Sequence, residues 1–172
     1  MATTKWILDP AHSEVQFKIK HLMISTVTGS LKKIDATLET CDNDFTTAKI
    51  NFEADVNSID TNNEQRDEHL KTADFFDAAT YSKISFESSK MDKLDDDNYK
   101  LYGKFTIKNI SKPAVLDVEF GGIAEDRFGN TKAGFTISGK INRQDFGVGP
   151  KNNPGLGDEI KLQSNLQVVK QV

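Results

Sequence analysis

Hydrophobic and polar residues alternate with a period of two along most of this chain. In "AKINFEADVNSI", Ala48, Ile50, Phe52, Ala54, Val56 and Ser58 fall on one side, and Lys49, Asn51, Glu53, Asp55 and Asn57 on the other. Successive side chains of an extended chain point to opposite faces, so the pattern predicts a strand with one dry and one wet face. "EVQFKIKHL" repeats it, with Val15, Phe17, Ile19 and His21 on the dry side. The alternation returns around Phe86 in "KISFES", around Phe105 in "YKLYGKFTIK" and in "PAVLDVEF". It returns again around Phe135 and Ile137 in "KAGFTISGKI", and in "EIKLQSNLQV". The run from Gly29 to Leu38 is weaker, because Leu31 and Ile34 are three apart; that spacing predicts a bulge.

Turn signals separate the runs: "DDDN" at Asp95–Asn98, "DRFGN" at Asp126–Asn130, and the Gly/Pro-rich "GVGPKNNPGLGD" at Gly147–Asp158. The chain is therefore all-β, with about eight antiparallel strands in one domain covering residues 1–172. Each strand must hide its dry face. A second sheet can cover it, or the sheet can close into a barrel, which also removes exposed edges. Eight strands enclose an interior filled by side chains or by one small ligand. Small dry-face residues such as Ala54, Ser88, Gly103, Gly139 and Ser164 fit a hollow lumen, but they equally fit large partners across a solid core. Periodicity leaves barrel and sandwich both open.

One segment breaks the alternation. "SIDTNNEQRDEHLKTADFFD" predicts a helix of about ten residues, capped by Asn62 with Gln65 three positions on. Arg66, Leu70 and Ala73 share a face, and Phe75 and Phe76 supply apolar anchors. Such an insertion can close one end of a barrel.

Charge and candidate chemistry narrow the function. The 172 residues carry a net charge of -4 and no long basic run, which argues against nucleic acid as a partner, since such binding needs a cationic field. Cys41 stands alone among Asp42, Asn43 and Asp44, so no internal disulfide can form, and nearby carboxylates disfavour a thiolate. His12, His21 and His69 are far apart, and no HExxH or paired-cysteine spacing occurs, so no metal or other cofactor is expected. There is no GxSxG, and His12 and Ser13 point to opposite faces of an extended chain. "MATTKWILDP" lacks the apolar core of a signal peptide and no run is long enough to span a membrane, which predicts a cytoplasmic protein, or a periplasmic one if a leader has been removed. His21 is either a satisfied core histidine or a polar contact at the end of a greasy cavity. Arg66 either pairs with a carboxylate or meets an anionic head group, for which its fork is suited.

The set "WILDPAHSEVQFKIKHL", Gly29, "SIDTNNEQRDEHLKTADFFD", "ISFES", "GKFTIKNISKPAVLDV" and "INRQDFGV" spans nearly the whole chain in order. In these stretches the sequence resembles the YceI-like family, the polyisoprenoid-binding, lipocalin-like proteins of bacteria. It departs from the family pattern at Leu31, at Ile34–Ala36, at Ser82 where proline is usual and at Asn109 where glycine is usual. The resemblance implies an extended, eight-stranded antiparallel barrel with a short helix capping one end. It also implies an apolar tunnel for a long-chain isoprenoid, such as a polyprenyl phosphate or a quinone tail, bound, carried or stored without catalysis. The expected ligand-binding residues are then Phe17, Ile19, Phe52, Ala54, Val56, Leu70, Phe75, Phe76, Phe86, Phe105, Phe135 and Ile137, with His21 and Arg66 as polar contacts. Two rivals are an enzyme that modifies a lipid or quinone and a solid-core interaction module. A homodimer is a further open expectation.

Overall fold

The computed structural model describes residues 2–151, 153 and 155–171. Its strands are β1 (Thr3–Leu8), β2 (Glu14–His21), β3 (Ser25–Leu31), β4 (Ile34–Cys41), β5 (Asp44–Asp55) and β6 (Ile59–Asp60), followed after helix α1 (Glu64–Leu70) by β7 (Lys83–Lys93), β8 (Asn98–Ile107), β9 (Ile110–Glu125), β10 (Thr131–Asn142) and β11 (Leu156–Lys170). Three pairs of these elements are bent single strands. β2 and β1 lie end to end along the same side of β11, β3 and β4 continue that pattern against them, and β6 and β5 against those. Counted so, eight antiparallel strands run up and down and close through the β1–β11 pairing. The open choice between barrel and sandwich resolves as a barrel.

The bends have local causes. Between β1 and β2, Asp9 caps a 3-10 turn at Pro10–His12, accepting from Ala11 N at 3.2 Å. Ser13 Oγ donates to Asp9 O (2.7 Å) and accepts from Gln167 N (3.0 Å), while Asp9 N donates to Gln167 O (2.8 Å). The D-x-x-H-S motif is thus a corner that keeps the bent strand on β11. The spacing of Leu31 and Ile34, read above as a bulge, is instead a second corner at Lys32 and Lys33. It is pinned to the third, at Val56–Ser58, by Lys33 N donating to Ser58 Oγ at 2.9 Å.

β1 was not foreseen, although Thr4, Trp6 and Leu8 alternate as buried residues along it. β9 begins at Ile110, ahead of Pro113, after a turn in which Lys108 and Asn109 have φ of 53° and 62°. Asn tolerates this left-handed backbone, which explains how it stands in for glycine there. The helix is seven residues long and its cap is Asn63, whose side chain accepts from Arg66 N at 3.0 Å; Asn62, the expected cap, sits in left-handed backbone at φ 62°.

Small residues on the dry face divide between the two roles anticipated. A Cβ on Gly29 would collide with the Phe17 ring, and one on Gly103 with the Phe86 ring and the Glu87 carbonyl. These two glycines seat large neighbours, and the lumen is left by other positions.

Candidate functional site

The two barrel ends differ. At the end where β1 and β10 begin, Trp6, Phe45, Phe120, Phe135 and Tyr99 form an aromatic floor. Ring centroids lie 5.4 Å apart for Trp6 and Phe45, 5.1 Å for Phe45 and Phe120, 5.2 Å for Phe45 and Phe135 and 6.3 Å for Tyr99 and Phe120. Such tilted and edge-on pairs are favourable arrangements for aromatic quadrupoles. Trp6 is fully buried, and its indole N–H donates to Thr40 Oγ1 at 3.1 Å.

Above this floor lies a cavity of about 460 Å³. Phe17, Ile19, Phe52, Val56, Phe86, Phe105 and Ile137 line its sides, together with Ile50, Leu101, Leu116, Leu162 and Leu166. Leu70, Phe75 and Phe76 line it from the segment of α1, and His21 and Arg66 also reach it. Two expected residues do not line it. Phe135 belongs to the floor, and Ala54 is buried in the wall, its methyl too short to reach the lumen. Phe17, Phe52 and Phe76 remain half-buried, because part of each ring faces this cavity rather than another side chain.

The other end is capped by the insertion between β6 and β7. Thr61 organises it. Its N–H and hydroxyl both donate to Asp67 Oδ1, at 2.9 and 2.5 Å, while Arg66 Nε donates to Thr61 Oγ1 (2.8 Å) and Nη2 to Thr61 O (2.6 Å). Arg66 therefore binds a hydroxyl and a carbonyl, not the carboxylate partner anticipated as one alternative. Phe75 packs edge-on against His69 at 4.9 Å, and Gly149 N donates to Asp74 O at 3.0 Å, tying the cap to the Gly/Pro-rich loop. His21 and His69 line the cavity and are also exposed, so the lumen meets solvent at this end. His21 is thus no core histidine; it stands at the mouth.

Arg143 was missed as an individual residue, although it lies in the "INRQDFGV" stretch. It is 1% exposed and lines the cavity. Its Nε donates to Gly157 O (3.0 Å), and Nη1 to Val148 O (2.9 Å) and Pro150 O (3.0 Å). Nη2 lies 3.0 Å from Asp158 Oδ1, near enough for charge pairing but off the line of a good hydrogen bond. One guanidinium thereby folds the long loop over the mouth. A fork of five donors is suited to such a task.

One shifted carboxyl lies away from the lumen. Lys132 donates to Asp9 Oδ2 at 2.8 Å, and this bond holds the Asp9 carboxyl below its usual value, with His12 Nδ1 at 2.9 Å adding to it. Of the polar residues lining the lumen, Thr61 and Arg66 are bound to each other and Thr61 to Asp67, and Arg143 is bound to backbone carbonyls. Among the described residues no three His, Cys, Asp or Glu side chains gather as a metal site would require, and no helix is long and apolar enough to cross a membrane.

A closed eight-stranded barrel with one helix at its mouth and an apolar lumen defines a lipocalin-like protein. The family model for the YceI-like domain matches residues 6–168, and the chain belongs to that family. It is 35% identical to a UPF0312 protein of Staphylococcus aureus strain N315, over 95% of this chain and 96% of that one. A YCEI protein of Campylobacter jejuni superposes with a TM-score of 0.81 at 37% identity, covering 96% of this chain and 97% of its own. A polyisoprenoid binding domain from Saccharophagus degradans, implicated in plant cell wall breakdown, shares the fold with a TM-score of 0.71 at 11% identity, covering 96% and 98%.

Proposed function

We propose that this protein binds a long-chain isoprenoid lipid in the barrel lumen and carries or stores it without chemical change. The observation that carries this reading is the apolar cavity of about 460 Å³, open beside His21 and His69, with the aromatic cluster around Phe45 and Phe120 packed in the barrel beyond its lining. That volume falls in the roughly 300–1,000 Å³ range of small-molecule sites. Membership of the YceI-like family and the polyisoprenoid-binding fold neighbour support the same ligand class. Each buried CH₂ is worth about 0.8 kcal/mol, so a five-carbon unit offers roughly 3–4 kcal/mol before costs. Ordering the flexible chain offsets much of this, yet a few units suffice for a complex that survives purification. The walls read length and greasiness; a polyprenyl phosphate or quinone head would sit at the mouth.

Mass spectrometry of a solvent extract from natively purified protein tests the reading, beside a heat-denatured and washed control. A stoichiometric isoprenoid in the native extract alone is expected. An extract that stays empty after polyprenyl phosphates and quinones have been offered sinks it.

A further inference from the structure

The mouth carries a second feature that lipid binding inside the barrel does not require. The β2–β3 hairpin ends in Leu22, Met23 and Ile24, which are 54, 68 and 84% exposed. Leu22 and Met23 adopt φ of 53° and 58°, a left-handed backbone that favours Gly, Asn and Asp. The other left-handed hairpin turns use Asp42, the Lys108–Asn109 pair and Gly129. A stability-neutral choice here would be polar; the chain instead holds three consecutive apolar side chains out in solvent.

Beside the tip the outer wall is basic. Lys18 stands directly opposite Lys161 across β2–β11, and Lys161 directly opposite Lys140 across β10–β11. Like charges facing one another across strands are destabilising. Lys20 extends the patch towards the tip, and Lys18, Lys20, Lys161 and Met23 border one surface depression. Of the nearby acids, Asp158 is held by Arg143 at 3.0 Å and Gln144 at 2.8 Å, and Glu159 faces Lys140 at 3.8 Å. No ion pair engages Lys18, Lys20 or Lys161 among the described residues. An acidic protein of net charge -4 thus concentrates uncompensated positive charge next to its apolar tip.

We propose that the Leu22–Ile24 tip and the Lys18/Lys20/Lys161 patch dock the mouth of the barrel onto an anionic lipid bilayer. Apolar side chains enter the head-group boundary while lysines meet anionic lipids, the two attractions that together hold a protein at a membrane surface. A second copy of the chain fits less well. Three tip residues fall far short of the roughly 800 Å² per partner of a stable interface, and a two-fold pairing would set the lysines against each other. Leu22 N donates to Gly155 O at 2.8 Å, and Gly155 lines the lumen, so docking brings the mouth to the bilayer. The docking stands on the tip and the lysines; its use for loading cargo rests on the function proposed above.

The test is co-sedimentation of the full chain with isoprenoid-free vesicles, either phosphatidylcholine alone or phosphatidylcholine mixed with phosphatidylglycerol. Binding to the anionic vesicles, released by salt, is expected. Ile24→Asp should weaken it at least about tenfold. Lys18→Gln and Lys161→Gln should each weaken it about fivefold on anionic vesicles only. Unchanged circular dichroism and unchanged isoprenoid loading of the variants keep the comparison fair. Vesicle binding by a chain that takes up no isoprenoid would uphold docking while sinking the carrier reading. Wild-type protein that stays in the supernatant, or variants that bind as wild type, overturn docking. So does a dimer that Ile24→Asp dissociates in the absence of any vesicle binding.

Discussion

Asp9 shows how one side chain holds a strand in place. It caps the Pro10–His12 turn and accepts from both Lys132 and His12 at the corner between β1 and β2. Asp9→Asn keeps the shape and loses the charge, and should cost about 1–2 kcal/mol near neutrality by urea unfolding. Because the folded carboxyl sits below its ordinary value of 3.8, its contribution is present above that pH and disappears as pH falls through the depressed value. Wild-type stability should therefore drop in acid more steeply than that of Asp9→Asn, and parallel slopes would remove the ion pair from the explanation. Arg143 is a different case. Its three carbonyl acceptors need a planar fork, so Arg143→Lys should cost about 2–3 kcal/mol by the same measurement, with the loss centred on the 147–157 loop. Neither role was legible as such, because Asp9 depends on the Lys132 side chain, 123 positions away, and Arg143 on how the following loop turns its carbonyls back. His21 was half legible: alternation put it on the inward side, but not at the strand end where that side meets water.

At the scale of elements, strands with an uninterrupted dry face were readable and corners were not. Ala48, Ile50, Phe52 and Ala54 declare β5 through period-two spacing alone. The corner at Lys32 and Lys33 looks like a bulge because its cause, Ser58, sits in another corner, between β5 and β6. β1 escaped notice since threonines occupy two of its first positions, and Thr4 is buried only by the strands that flank it. The helix was legible in kind, but its start shifted by one residue because Asn63, not Asn62, holds extended backbone. Seven residues cannot form a stable helix unaided, so α1 depends on Thr61, Arg66 and Asp67. Asp67→Ala leaves the Thr61 N–H and hydroxyl without their acceptor and should cost about 1–3 kcal/mol. Amide exchange should rise over residues 61–78 and stay protected in β8 to β10. A uniform rise across the barrel would show instead that the cap is part of the global folding unit.

The whole molecule is a tube with one end sealed by rings and the other roofed by a helix and an arginine-held loop. Of the fourteen expected site residues, twelve line the cavity, because facing inward in a strand and facing the lumen are nearly the same property here. Phe135 breaks that equivalence. It faces inward at the floor, where Phe45 and Phe120 fill the bore around it, and nothing in a single strand's alternation distinguishes floor from wall. If the lumen holds an isoprenoid tail, this floor sets the length limit. Affinity for a series of polyprenyl probes should rise with each added unit and then level off once the tail reaches the rings. Phe135→Ala should cost about 3–5 kcal/mol of stability, as large-to-small core changes do, and should move the plateau to longer chains. Fluorescence competition across the probe series reads both effects in a variant first shown to be folded by circular dichroism. A plateau that keeps its position when the floor is opened would mean that the mouth, with its helix and loop, selects the ligand instead.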